Sequence, residues 1–264
     1  MKAYCINLDN RPDRLAHAVA EFKRQNMPFE RIVAVDGKNP KVTTLAQTIP
    51  PMWTGDRMSA GAYACLLSHR KAWVQLLESG ERYAMVFEDD LLLADGIANY
   101  LHDDWIPENA DVIKLETWGT RIHITRNVAA VVSGRSLHVL RSSHIGSGAY
   151  VLSAETAQKL LTETEICGDP IDEVIFNDKL AMFPSLAVYQ MVPAPAIQGE
   201  RTSTDRARTG GADWINSSLE DRMVFSSNST RPEREYLSKR LWRRTREELR
   251  ARLNGTVYVV VSHG

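Results

Sequence analysis

The run Tyr83-Ala84-Met85-Val86-Phe87 is apolar throughout and ends abruptly in three carboxylates, Glu88-Asp89-Asp90. An apolar stretch this short, hemmed by charge, reads as a central strand and puts the acids at its C-terminal end. The preceding chain has the alternation such a sheet needs. Residues 2–8 read as a buried first strand. Asp9 to Arg14 follow as a turn and helix start, with Asn10 placed to cap and Pro12 in the first helical turn. Leu15, Val19 and Phe22 then recur at helical spacing, and residues 29–35 read as a second strand. Strand, helix and strand in this order imply a βαβ unit and an α/β class.

Further along, Pro40, Pro50, Pro51 and Gly55 mark residues 38–58 as a loop. Ser59 is placed to cap a long helix that runs to Ser79 and stops at Gly80, with Tyr63, Leu66, Leu67, Trp73, Val74 and Leu77 as its apolar face. Strands are expected at 111–115 and 149–152. Ser153 caps a following helix, Pro170-Ile171-Asp172-Glu173 opens a short one, and 184–198 is extended.

Like charges in close proximity repel and raise each other's pKa, so three adjacent acids at a strand end call for an explanation. A divalent cation would relieve the repulsion. Mg²⁺ and Mn²⁺ prefer carboxylate and phosphate oxygens and take few ligands from protein, so a sugar-nucleotide diphosphate would complete the shell. Ligands of open α/β sheets bind at this strand edge. The competing reading is a solvated acidic turn. Adjacent strand residues point to opposite faces, so Glu88 and Asp90 are expected to share a direction and Asp89 to point away.

Other segments narrow the choice. Ile6-Asn7-Leu8-Asp9-Asn10-Arg11-Pro12-Asp13-Arg14, Gly61-Ala62-Tyr63-Ala64-Cys65-Leu66-Leu67-Ser68-His69 with Trp73, Val86-Phe87-Glu88-Asp89-Asp90, Gly148-Ala149-Tyr150-Val151-Leu152-Ser153 and Pro170-Ile171-Asp172 stand in this order. Together they resemble the motifs of glycosyltransferase family 25, the lipooligosaccharide galactosyltransferases and their collagen-modifying relatives. Ala64 stands where that family's helix motif has a second glycine. The resemblance covers about residues 1–200. It implies a GT-A-type, Rossmann-like fold over 1–205, a UDP-sugar donor (UDP-galactose, or UDP-glucose), inverting transfer and a surface-glycan acceptor, saccharide or lipid-linked. A polar loop over 206–230 and a basic helical segment over 231–264 are expected to follow.

Roles are assigned on that basis. Asn7, Leu8, Arg11 and Arg14 lie where the first strand meets the first helix, a place that favours anions, and the arginines offer directional donors to phosphate or uracil. The alternative for the arginines is surface pairing with Asp9 and Asp13. Ser68 and His69 are donor-contact candidates, with a structural histidine as the alternative. Asp90 and Asp89 are the expected ligands of Mn²⁺ or Mg²⁺, while Glu88 or Asp89 serves ribose, water or a neighbouring base. Lys114 either faces the diphosphate or sits on the surface. Inversion requires a base for the acceptor hydroxyl. Asp172 is that candidate, with Glu173 in reserve; the alternative is a helix-start acid. His123, His138 and His144 suit no metal site and are expected on acceptor-side loops or the plain surface.

Two other functions compete: a nucleotidylyltransferase, which the absence of a glycine-rich N-terminal loop disfavours, and a sugar-binding or adhesion module, which the intact acidic box disfavours. The net charge of −1 gives the chain no overall attraction to nucleic acid. Three widely spaced cysteines and an N-terminus without a leader fit a cytoplasmic protein. From Arg231 to Arg252, nine basic residues face four acids around Trp242. Such a segment suits an anionic membrane surface, the cytoplasmic membrane's inner face included, or a helix packed on the domain.

Overall fold

The computed structural model describes residues 1–55, 57–180, 182–199, 247–248 and 250–264. The polar loop over 206–230, and residues 231–246 and 249 of the basic segment, thus lie outside the described residues. The first half runs β1 (Lys2–Asn7), α1 (Pro12–Arg24), β2 (Glu30–Val33), α2 (Pro40–Thr48), α3 (Ala60–Ser79), β3 (Tyr83–Glu88) and β4 (Leu91–Leu93). Then come β5 (Val112–Lys114), β6 (Glu116–Thr117), β7 (Arg121–Thr125), β8 (Ala130–Val132), β9 (Arg135–Val139) and β10 (Ala149–Ser153). The remainder is α4 (Ala154–Glu163), α5 (Ile171–Phe176), β11 (Val188–Val192), β12 (Ala196–Gln198) and β13 (Thr256–Val260).

Eight strands form one mixed sheet in the order β2-β1-β3-β10-β5-β11-β9-β8. β1 pairs in parallel with both β2 and β3, as a βαβ unit requires, while β10 runs antiparallel between β3 and β5. Alternation splits each central strand between two cores. Tyr4, Ile6, Ala84 and Val86 face α3, whose Leu66, Trp73 and Leu76 are fully buried. Ala3, Cys5, Met85 and Phe87 face the other way, onto Ala18 and Phe22 of α1. The α/β class and the βαβ unit expected from the sequence hold.

α3 begins and ends where its caps dictate. The Ser59 side chain accepts from the Ala62 N–H, and Gly80 closes the helix at φ 70. Ser153 caps α4 in the same way, accepting from Thr156 N–H.

Five local expectations need correction, the first being Val74, which is exposed rather than on the apolar face of α3. Part of the expected loop 38–58 is the helix α2, because Pro40 stands at its first position, where no N–H is needed, and Asn39 accepts from Lys41 N–H. α1 is capped at Arg11 without a side-chain bond; Asn10 instead donates to Asp36 at 3.0 Å. Its buried face is Arg14, Ala18, Glu21 and Phe22, and Val19 is exposed. The end of the chain is not helical throughout: Thr256–Val260, β-branched at four of five positions, is the strand β13, paired antiparallel with β7. Among the described residues no helix is long and apolar enough to cross a membrane.

Candidate active site

Parallel pairing brings the C-terminal ends of β1, β2 and β3 to one edge, with Ile6 opposite Glu88 and Asn7 opposite Val33. Asn7 is buried there and fully committed. Its Nδ2 donates to Asp89 Oδ2 at 2.6 Å and to Arg11 O at 3.2 Å, and its Oδ1 accepts from Arg31 Nε at 3.0 Å. β3 ends at Glu88, so strand alternation stops there. Contrary to the alternating expectation, the turn that follows aims Asp89 and Asp90 at one cation. Arg14 Nε lies 2.9 Å from Asp89 Oδ1, and its terminal nitrogen pairs with Asp90. Glu88 turns instead toward α3.

The electrostatics follow from burial. Removal from water pushes the Asp89 carboxyl up to about 6, with Arg14 opposing and Asp90 adding to the rise. Burial pulls the Arg14 guanidinium down, but Asp90, Asp89 and Glu88 outweigh it and hold it above its ordinary value. One guanidinium against three carboxylates leaves the corner short of positive charge. Asp89 and Asp90 line the cleft as hard oxygen donors, the set that Mg²⁺ or Mn²⁺ takes, so the residues fit such an ion.

The corner opens into a cleft of about 290 Å³ between the strand ends and the first half of α3. Asn7, Leu8, Arg14, Ser68, His69, Glu88, Asp89 and Asp90 all line it. Ser68 acts as a fastener: its hydroxyl donates to Ala64 O at 2.6 Å and accepts from Val35 N–H at 2.8 Å, tying the end of β2 to α3. The approach is close. A Cβ on Gly37 would stand 3.0 Å from Gly61 Cα, so any larger residue would have to push the start of α3 back by a few tenths of an ångström. Cys65, His69 and Glu88 also converge on the cleft, with one ligand-type atom of each within 4.8 Å of the others.

Four expected site residues lie elsewhere. Arg11 pairs at the surface with Asp13, Nη2 to Oδ2 2.8 Å. Lys114 is neither in the cleft nor on the surface. It is fully buried, 3.1 Å from Glu116 Oε1, bonded to Gly146 O, and 4.0 Å above the Phe176 ring. Burial pulls Lys114 down and pushes Glu116 up, each opposed by the other's charge. Asp172 stands in the first turn of α5 and accepts from Gly146 N–H at 3.1 Å, while Glu173 accepts from Asn177. His144 is buried rather than on a surface loop, because its Nδ1 bonds Gln190 Oε1 at 2.7 Å, and burial pulls it down to about 3.

Three residues escaped the sequence reading. Glu116, two residues from Lys114 in an apolar segment, carried the signal of a charge pair at strand spacing. Asp36, just past the strand expected over 29–35, lines the cleft and is held by Asn10 Nδ2 and Lys38 N–H. Asp169 gave no local signal; it is buried and accepts from the N–H groups of Met52, Trp53 and Thr54, so it fixes the loop before α3.

The model of glycosyltransferase family 25 (LPS biosynthesis protein) matches residues 1–175. The chain belongs to glycosyltransferase family 25. Similar family 25 relatives include the lacto-N-neotetraose biosynthesis glycosyltransferase LgtB of Neisseria gonorrhoeae, 28% identical over 188 residues, or 67% of each chain. The lipooligosaccharide biosynthesis protein lic2B of Haemophilus influenzae is 28% identical over 203 residues, 74% of this chain and 75% of its own. Among solved structures, the galactosyltransferase LgtC in complex with donor and acceptor sugar analogues overlaps 90% of this chain and 100% of its own. It does so at 10% identity and a TM-score of 0.37.

Proposed function

We propose that this family 25 chain transfers a hexose, galactose or glucose, from a UDP-sugar to a saccharide or lipid-linked acceptor of the lipooligosaccharide type, with inversion at the anomeric carbon. The convergence of Asn7, Arg14, Asp89 and Asp90 at one open strand edge carries this reading. Asp90 and Asp89 would hold Mn²⁺ or Mg²⁺, which when bound supplies positive charge for the diphosphate of the leaving UDP. Arg14, already aligned by both carboxylates, offers directional donors to the same phosphates. Asp36, at the end of β2, is placed for ribose hydroxyls. Asp172 lies outside the cleft lining but is joined to it through Gly146, whose N–H it accepts, and Ser147, which donates to Glu88. From there it would take the acceptor hydroxyl's proton as that oxygen bonds to the anomeric carbon and the bond from that carbon to the diphosphate oxygen breaks. One displacement inverts the configuration. A cytoplasmic enzyme held at the inner membrane face by residues 231–253 would meet such an acceptor.

A panel of UDP-sugars with Mn²⁺, Mg²⁺ or EDTA tests the reading through UDP release and calorimetric UDP binding. The expected outcome is metal-dependent UDP binding and turnover of one UDP-hexose. Absence of both for every donor would sink it.

A further inference from the structure

Cys65, His69 and Glu88 look like three ligands of a soft-metal centre, since thiolate, imidazole and carboxylate meet beside the cleft. The hydrogen bonds behind His69 decide otherwise. The indole N–H of Trp73 can only donate, and it does so to Tyr150 Oη at 2.9 Å. The Tyr150 hydroxyl therefore accepts from Trp73 and must place its own hydrogen elsewhere. Tyr150 is fully buried, and burial keeps the phenol protonated by pushing it well above its ordinary range. Its other partner among the described residues is His69 Nδ1, at 2.8 Å. Nδ1 must then accept, because a protonated Nδ1 would leave the phenol hydrogen stranded in the core. A ring that accepts at Nδ1 carries its hydrogen on Nε2, and that nitrogen faces Glu88 Oε1 at 3.4 Å. Ser147 Oγ donates to the same oxygen at 3.0 Å. The two rings stack at 23° with centroids 5.7 Å apart, which keeps the imidazole plane fixed.

We propose that Trp73 and Tyr150 are positioning residues of the transfer site: they lock His69 as an Nε2 donor that orients Glu88 in the donor cleft, and so withhold His69 from a Cys65–His69–Glu88 metal centre. A metal at that trio needs the Nε2 lone pair, which this tautomer does not have. The helix segment with Ser68-His69 and Trp73, the strand segment with Ala149-Tyr150, and the acidic box thereby become one hydrogen-bonded chain leading from core to cleft. This rests on the reading of the cleft as the donor site, but its main test does not need substrate.

Long-range proton–nitrogen correlation spectra of the histidine-labelled full chain read the tautomer directly, with His69→Gln assigning the resonance. The expected spectrum shows a pyridine-type Nδ1 and a protonated Nε2. Tyr150→Phe should mix the tautomers and lower kcat about tenfold with little change in donor KM, and Trp73→Phe should act in the same direction but less. A pyridine-type Nε2 in the unaltered chain overturns the proposal. So does a thiolate charge-transfer band on adding Co²⁺ that vanishes in Cys65→Ser, and so does unchanged kcat in both relay variants. If Tyr150→Phe does not fold, the unaltered chain's tautomer and Trp73→Phe still decide. A correct tautomer with no UDP-sugar turnover would fail the functional reading alone.

Discussion

The two sides of the sheet's active edge are built on opposite terms. On the β1–β3 side, largely buried charges line a cleft and are organised by pairing: Arg14 against Asp89 and Asp90, Asn7 and His69 holding carboxylates in place. On the β5–α5 side, Lys114, Glu116 and His144 are sealed from solvent, and Glu116 Oε2 and His144 Nε2 have no hydrogen-bond partner among the described residues. An ion pair lining a cleft can exchange its partner for a ligand's phosphate or cation, one charged partner replacing another. A buried acceptor without a donor costs about 1–3 kcal/mol. The first side is therefore prepared for a charged ligand, while the second holds its charges by burial and by the shifts in protonation that burial causes.

The contrast can be broken most directly at Asp172. Asp172→Asn should lower initial transfer rates about a hundredfold or more while UDP affinity, measured calorimetrically, stays near the unaltered value. Equal loss of both would show that the two sides work as one unit. Next in size is Arg14→Met, which leaves two adjacent buried carboxylates without their cation. Urea unfolding should show a loss of about 3 kcal/mol, partly restored by Mn²⁺ or Mg²⁺. No restoration would remove the ion from Asp89 and Asp90. The effect that is smallest per unit of pH sharpens the sealed side. The folded His144 is pulled below its unfolded value, so its stabilisation is complete above about 6.5 and is lost as pH falls toward about 3. Between those limits it contributes a slope of about 1.4 kcal/mol per pH unit. Thermal melts over that window should flatten in His144→Gln; an unchanged slope would place the acid sensitivity elsewhere.

The two sides were also unequally legible in the sequence. Helix ends are local chemistry, and Ser59, Gly80 and Ser153 marked theirs without reference to the rest of the chain. The acidic corner was legible as a strand end from periodicity, and the motifs at 6–14, 61–69 and 148–172 singled it out from an ordinary acidic turn. α2 was missed because a proline at a helix start and a proline in a loop look alike until the capping Asn39 is considered. The direction of Asp89 depended on where β3 ends, which the chain pairing beside it sets. Lys114, Glu116 and His144 were misplaced or unseen because their burial comes from Gly146, Phe176 and Gln190, all at least thirty residues away in sequence.

The strand β13 has a practical consequence. Thr256–Val260 is laced to β7, Val261 O accepts from Thr117 Oγ1, and Ser262 O accepts from Ala194 N–H. The described residues on either side of 200–246, β12 and β13, thus belong to one body. Cutting the protein short after residue 230 would strip a partner from β7 and bare its edge along with removing the basic residues. Any loss of vesicle binding in that truncation would be ambiguous. Charge reversal within 231–246, or exchange of residues 200–246 for those of a relative, leaves β12 and β13 intact and asks the membrane question alone.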